Sequence, residues 1–177
     1  MLPWLLDQVR QRDEPSVLNL FAYTGLTTLA LAHAGASVAH VDAARSTVAW
    51  ARRNATLSGL DDRPIRWLVD DARAFVAREV RRERRYHGVV LDPPTYGHGS
   101  GGKAWRVERD LEPLLADVRR VLVPDGFVLL TAHSESIDPT TLGDLLSPVA
   151  EVGDLGLTAA SGARVRMGAY ARVAGAA

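Results

Sequence analysis

Residues 17–25, Val-Leu-Asn-Leu-Phe-Ala-Tyr-Thr-Gly, constrain the fold more than any other stretch of the chain. An apolar run of strand length ends at Gly25 and passes directly into the alanine- and leucine-rich segment 26–34. A buried strand, a glycine turn and a helix in that order form the opening unit of a doubly wound α/β sheet. Such sheets bind ligands in the crevice beyond the carboxyl ends of their strands. The turn Phe21, Ala22, Tyr23, Thr24 and Gly25 is therefore expected to touch a ligand.

The pattern repeats along the chain. Residues 37–41 read as a second strand ending in Asp42, 44–57 as a helix, 65–69 as a third strand ending in Asp70 and Asp71, and 72–83 as a helix. Residues 89–91 form a fourth strand closed by Asp92-Pro93-Pro94, since adjacent prolines cannot continue a central ladder. The glycines at 97, 99, 101 and 102 predict a mobile loop over 95–103. A helix over 107–122, a turn at Pro124-Asp125-Gly126, a fifth strand over 127–131 and a short helix over 140–146 follow. Strands near 151–157 and 168–173 suggest an antiparallel edge pair. The expected fold is thus a mostly parallel sheet with helices on both faces, one domain over 1–177, preceded by a lead-in helix within 1–13.

In a parallel sheet all carboxyl strand ends share one edge, so the glycine turn, Asp42, Asp71 and Asp92-Pro93-Pro94 should line one crevice. Asp42 lies 17 residues after Gly25, where a carboxylate can accept from both hydroxyls of a ribose. Asp71 suits either an adenine amine or the cap of the following helix. A pyrophosphate needs close backbone approach at several glycines, and this turn offers one. A ligand with a ribose and no phosphates fits better than a dinucleotide, and a nicotinamide oxidoreductase ranks last.

Composition narrows the chemistry. The 21 basic and 21 acidic side chains balance, so no overall field draws nucleic acid or an anionic membrane. With no cysteine in the sequence, disulfides, thiolate zinc sites and cysteine nucleophiles are excluded. No metal-ligand spacing occurs among the five histidines. No apolar run reaches the roughly 18 residues of a membrane span, and a soluble cytoplasmic protein is expected.

Leu18-Asn19-Leu20-Phe21-Ala22-Tyr23-Thr24-Gly25, then Val41-Asp42 leading to Ala51-Arg52-Arg53-Asn54, Asp70-Asp71-Ala72 and Asp92-Pro93-Pro94-Thr95-Tyr96 resemble the class I S-adenosylmethionine-dependent methyltransferases. Within that class the sequence is most similar to the bacterial group containing the 23S ribosomal RNA cytosine-5 and guanine-N7 methyltransferases. The resemblance implies a Rossmann-like seven-stranded sheet of order 3-2-1-4-5-7-6 with strand seven antiparallel. It implies S-adenosylmethionine as cofactor, its methionine part wrapped by Phe21, Ala22, Tyr23, Thr24 and Gly25, its ribose at Asp42 and Ala43, and its adenine at Asp71 and Ala72. Asp92, Pro93, Pro94 and Tyr96 would face the methyl acceptor, which the resemblance makes an RNA. Members of the group usually carry an additional N-terminal RNA-binding domain, so the sequence is expected to be a catalytic portion or to hold RNA by other means.

Methyl transfer from a sulfonium requires alignment of donor and acceptor, without metal or covalent nucleophile. Cytosine carbon 5 is the exception, because an enzyme thiol must first add to the ring. Here Thr131-Ala132-His133-Ser134 follows strand five and cysteine is absent, so a base nitrogen is the expected acceptor. Guanine N7 carries no proton, whereas an exocyclic amine would use Asp92 and the Pro94 carbonyl. Tyr96 either stacks on a base or packs under the glycine loop. His133 is the one histidine placed to position a substrate; His33, His40, His87 and His98 read as structural or surface residues. Lys103, Arg106 and Arg109 flank the crevice as candidate phosphate contacts, whereas the run 78–85 reads as a solvated helix face at the opposite edge. Methylation of a protein or small-molecule amine, and a non-catalytic cofactor-binding module, are the alternative functions.

Overall fold

Strands covered on both faces need apolar side chains on both, and the central strands have them. In the computed structural model, which describes residues 1–98, 104–134, 136–147 and 149–175, α1 (Leu2–Arg10) leads into β1 (Ser16–Leu20), α2 (Leu26–His33), β2 (Ser37–Asp42), α3 (Arg45–Leu57), β3 (Ile65–Val69), α4 (Ala72–Arg81) and β4 (Tyr86–Leu91). The chain continues through β5 (Tyr96–His98), β6 (Ala104–Arg106), α5 (Val107–Arg120), β7 (Leu122–Ala132), α6 (Pro139–Leu146), β8 (Glu151–Thr158) and β9 (Arg164–Ala174). Seven strands form one sheet in the order β3-β2-β1-β4-β7-β9-β8. Pairing is parallel from β3 to β7 and antiparallel at β7–β9 and β9–β8. With the separate β5–β6 pair set aside, this is the expected order.

Successive strand residues point to opposite faces and so feed two cores. Leu18, Leu20, Val89, Leu91, Val128 and Leu130 pack on one side with Phe75, Leu111, Leu115 and Leu142 from α4, α5 and α6. Val17, Val38, Val90, Phe127 and Leu129 pack on the other with Leu31 of α2 and Leu5 and Val9 of α1. The lead-in helix therefore closes the second core. Trp4 meets the Phe127 ring edge-on at 5.9 Å, and Arg12 donates to the Asp125 carbonyl at 2.8 Å.

Two sequence expectations change. The segment expected as a mobile loop over 95–103 includes a strand: Tyr96, Gly97 and His98 pair antiparallel with Arg106, Trp105 and Ala104. Its remaining part, 99–103, lies outside the described residues. The fifth strand also begins earlier than expected, because Leu122 already pairs with Tyr86 before the register shifts to Gly88–Phe127. Pro124, Asp125 and Gly126 therefore leave the ladder as an excursion within β7.

Gly88 is fixed by packing. A Cβ there would stand 2.1 Å from Phe127 Cζ, and the Phe127 ring has no solvent to retreat into. Gly88→Ala should cost about 1–3 kcal/mol of stability through overpacking. It would be read as a lower urea midpoint at unchanged slope; an unmoved midpoint would mean that the ring shifts freely.

Candidate functional site

The parallel pairing of β1, β2, β3 and β4 brings their carboxyl ends to one edge, where a cleft of about 380 Å³ opens. Phe21, Tyr23, Asp42, Ala43, Asp71, Ala72, Asp92, Pro93 and Pro94 line it, all of them expected from the sequence. Ala44, Asp70, Gly97, Trp105 and His133 line it as well. Ala22, Thr24, Gly25 and Tyr96 are not among the lining residues. The first three shape the turn, and Tyr96 stands half-exposed on β5 with the Arg106 guanidinium 5.6 Å from its ring centre.

The turn after β1 is held in an unusual backbone shape. Phe21 and Tyr23 adopt φ of +55° and +48°, in the left-handed region that side chains disfavour, and Gly25 adopts +90°. Three bonds hold it there. Ala22 N–H donates to the Val41 carbonyl at 3.1 Å, Tyr23 N–H to Asp42 Oδ2 at 2.9 Å, and Asn54 Nδ2 to the Thr24 carbonyl at 2.9 Å. At Gly25 a Cβ would lie 3.1 Å from Ala51 Cβ, so any larger residue would both crowd α3 and hold a left-handed φ.

Each acidic strand end already serves the backbone. Asp42 accepts from Tyr23 N–H and, at 2.9 Å, from Ala44 N–H, leaving a further lone pair on each oxygen for a ligand. Asp71 caps α4 by accepting from the N–H groups of Arg73 and Ala74 at 3.0 and 3.1 Å, and it pairs with the Arg73 guanidinium at 3.0 Å. Burial alone would raise the Asp71 pKa; the hydrogen bonds from Arg73 and Ala74 outweigh it and hold the carboxyl below the usual range. Asp70 pairs with Arg78.

Just past the end of β4, Asp92 Oδ1 accepts from the Thr131 hydroxyl and lies 3.0 Å from His133 Nε2. The other imidazole nitrogen, Nδ1, is 2.8 Å from the Met167 carbonyl. Gly168, at φ +151°, lets β9 run this close: a Cβ there would sit 2.3 Å from the Ala132 carbonyl oxygen. His133 was legible as a strand-end histidine, whereas its two partners lie 41 and 34 residues away along the chain.

Trp105 carried no sequence signal beyond being an aromatic residue after a glycine-rich stretch. Its side chain is buried, packs on Phe21 at 4.9 Å between ring centres, and donates Nε1–H to the Pro94 carbonyl at 2.7 Å. Arg73 lies 5.7 Å from its ring and reaches Asp110 at 3.2 Å. The Asp110 carboxyl accepts from Arg106 N–H at 2.8 Å and is held down at about 2, chiefly by the Arg109 guanidinium. One chain of contacts thus runs from Asp71 through Arg73 and Asp110 to β6. Arg109 is occupied by Asp110 and the Ala104 carbonyl, and Lys103 lies outside the described residues.

Beneath the turn, Asn19 Nδ2 donates to Thr28 Oγ1 at 2.9 Å, and Thr28 Oγ1 lies 2.9 Å from His40 Nδ1. His40 is fully buried against Trp67, and its Nε2 has no hydrogen-bond partner among the described residues. Burial lowers its pKa from 6.5 to about 4, against the nearby Asp42 charge, so the ring is neutral in the fold. Below pH 6.5 the unfolded chain takes up a proton that the native ring refuses, so stability is lost as pH falls toward 4. Between pH 6.5 and roughly 5 the loss should reach about 2 kcal/mol, measured by urea unfolding. His40→Gln should remove that slope, and an unchanged slope would assign it to other groups.

The chain matches the family of S-adenosylmethionine-dependent methyltransferases over residues 3–152. It is 35% identical over 129 residues to the "Ribosomal RNA large subunit methyltransferase K/L" of Methylococcus capsulatus, covering 71% of this chain and 18% of that protein. The protein of the same name from Shewanella baltica is 30% identical over 145 residues, covering 80% of this chain and 20% of its own length. A crystal structure of the SAM-dependent methyltransferase from Agrobacterium tumefaciens superposes with a TM-score of 0.93 at 33% identity, covering 98% of this chain and 60% of that one. The chain therefore spans about a fifth of the length of these two curated relatives.

Proposed function

The chain belongs to the S-adenosylmethionine-dependent methyltransferases, and from that premise we propose that it transfers the methyl group to a base nitrogen of RNA. One observation carries the reading. Asp42, Asp71 and Asp92-Pro93-Pro94 open onto the same cleft, with the strained turn at its floor. In this reading Asp42 and Ala43 hold the ribose, Asp71 and Ala72 meet the adenine, and the turn from Phe21 to Gly25 cradles the methionine part. The two curated relatives, both named as ribosomal RNA methyltransferases, support an RNA acceptor.

When bound, the cofactor would supply an activated methyl group on its sulfonium centre. The chain's own part is alignment and exclusion of water. Asp92 is oriented through Oδ1 by Thr131 and His133, which leaves Oδ2 for the acceptor. Trp105 and Phe21 wall the cleft with apolar surface. Because the Pro94 carbonyl already accepts from Trp105, an exocyclic amine finds one lone pair there and Asp92 Oδ2, whereas a ring nitrogen needs neither. Cytosine carbon 5 is disfavoured, since no side chain can supply a thiol.

A second reading, methylation of a protein or small-molecule amine, draws support from the cleft's own charge. Asp42 and Asp92 line it with no Arg or Lys paired to them among the described residues, a surface that favours cations over phosphates. Methyl incorporation from labelled cofactor into undermethylated ribosomal RNA, set beside a protein extract, separates the two readings.

Calorimetric titration should give micromolar binding of S-adenosylhomocysteine and none of NAD; no binding to the folded chain would sink the cofactor assignment. Asp42→Ala should weaken that binding by about 1.5 kcal/mol, roughly tenfold, through loss of a charged acceptor. For Asp92→Ala the expectation is lost turnover at near-normal cofactor affinity, and retained turnover would remove Asp92 from the acceptor site.

A further inference from the structure

Among the described residues, three arginines beside the cleft are already paired to carboxylates. Arg73 bridges Asp71 and Asp110, Arg78 pairs with Asp70, Arg109 is taken by Asp110, and Arg106 lies over Tyr96. The opposite edge of the sheet differs. Arg66 near the start of β3, and Arg84 and Arg85 just before β4, line a second cavity of about 290 Å³. The hydroxyl residues Ser16 and Ser37, first in β1 and β2, line it too.

Two neighbouring acids are already engaged. Asp62 pairs with Arg63, and the buried Glu79 pairs with Arg82 and accepts from the Tyr86 hydroxyl at 2.7 Å. Glu83 is the one other acid within 81–85. Among the described residues none of Arg66, Arg84 and Arg85 makes an ion pair. The Tyr86 hydroxyl registers two of them: burial and then Glu79 push its pKa up, while the Arg66 and Arg84 charges pull it down. Three like charges from segments 18 residues apart thus converge on one concavity, where their repulsion is relieved by an anion.

We propose that this cavity is an exosite for the phosphodiester backbone of RNA, gripping the substrate on the edge opposite the cleft that receives the target base. The proposal rests on the RNA reading above. It resolves the mismatch between an acidic cleft and a polyanionic substrate by separating grip from chemistry. Strands of five or six residues set the two edges roughly 20 Å apart, so the RNA must be long enough to pass around one flank. Guanidinium groups suit the task, since each offers a planar fork of donors matched to phosphate oxygens.

The test is fluorescence anisotropy of a labelled single-stranded RNA of about 20 nucleotides, titrated with the whole chain across roughly 50–200 mM salt. Replacing Arg66, Arg84 and Arg85 together by alanine should weaken binding about tenfold. It should also lower the slope of log affinity against log salt by about 2, at roughly 0.7 per lost phosphate contact. S-adenosylhomocysteine affinity should stay unchanged, which certifies the fold. The pair Arg84→Glu and Arg85→Glu, both on exposed side chains outside the strands, repeats the measurement should the triple variant lose its fold. Unchanged affinity and slope in these variants overturns the exosite, as does a wild-type chain that binds no RNA. Arginine-dependent binding without methyl incorporation into RNA upholds the exosite and overturns the methylation reading. Incorporation with arginine-independent binding does the reverse.

Discussion

Parallel hydrogen bonding of β2, β1 and β4 is the constraint on which the rest of the molecule depends. It brings the last residues of these strands to one edge, and Asp42 and Asp92 inherit their common cleft from the register Leu20–Val41 and Leu20–Leu91. Parallel neighbours require crossovers, and the crossovers here are helices whose apolar sides bury both faces of the sheet. The same alignment gathers the amino ends at the other edge, so the molecule has two unlike rims. One is acidic and lined by strand-end aspartates, and the other is basic and lined by the segments that enter the strands. A formal charge of zero conceals this separation.

At the cleft, the groups proposed to face a ligand also hold the local backbone. Asp42 ties the turn to β2 while keeping lone pairs for a ligand, and Asp71 caps a helix while anchoring Arg73. The carboxylates are therefore preorganised, because backbone N–H groups fix their direction before any ligand arrives. His40 extends the same economy inward. A neutral imidazole below the glycine turn completes a buried polar chain with Thr28 and Asn19, a role that a charged ring would not tolerate at full burial.

The β5–β6 hairpin shows where sequence reading reaches its end. Four glycines within 97–102 argue for a loop on local grounds, and locally the argument is sound. Residues 96–98 nonetheless pair with 104–106, and Trp105 anchors that pair through its contact with Phe21, its bond to the Pro94 carbonyl and its cover by Arg73, all made to other parts of the chain. The start of β7 departs from expectation for a similar reason, since Leu122 pairs with Tyr86 before the proline excursion begins.

Backbone chemistry and hydrophobic periodicity, both encoded over a few residues, are legible before any folding. The strand–turn–helix unit at Gly25, the stop at Pro93-Pro94 and the acids at strand ends follow from local pattern together with the rules of parallel sheets, and the strand order is what the resemblance to the methyltransferases implied. Which groups meet across long separations is settled by the packed fold. It set His133 between Asp92 and Met167, Trp105 against Pro94, Arg73 between two aspartates, and Arg66 beside Arg84 and Arg85. The physical reason is that each of these contacts joins side chains from different elements, so its geometry exists only after sheet register and helix packing have been fixed.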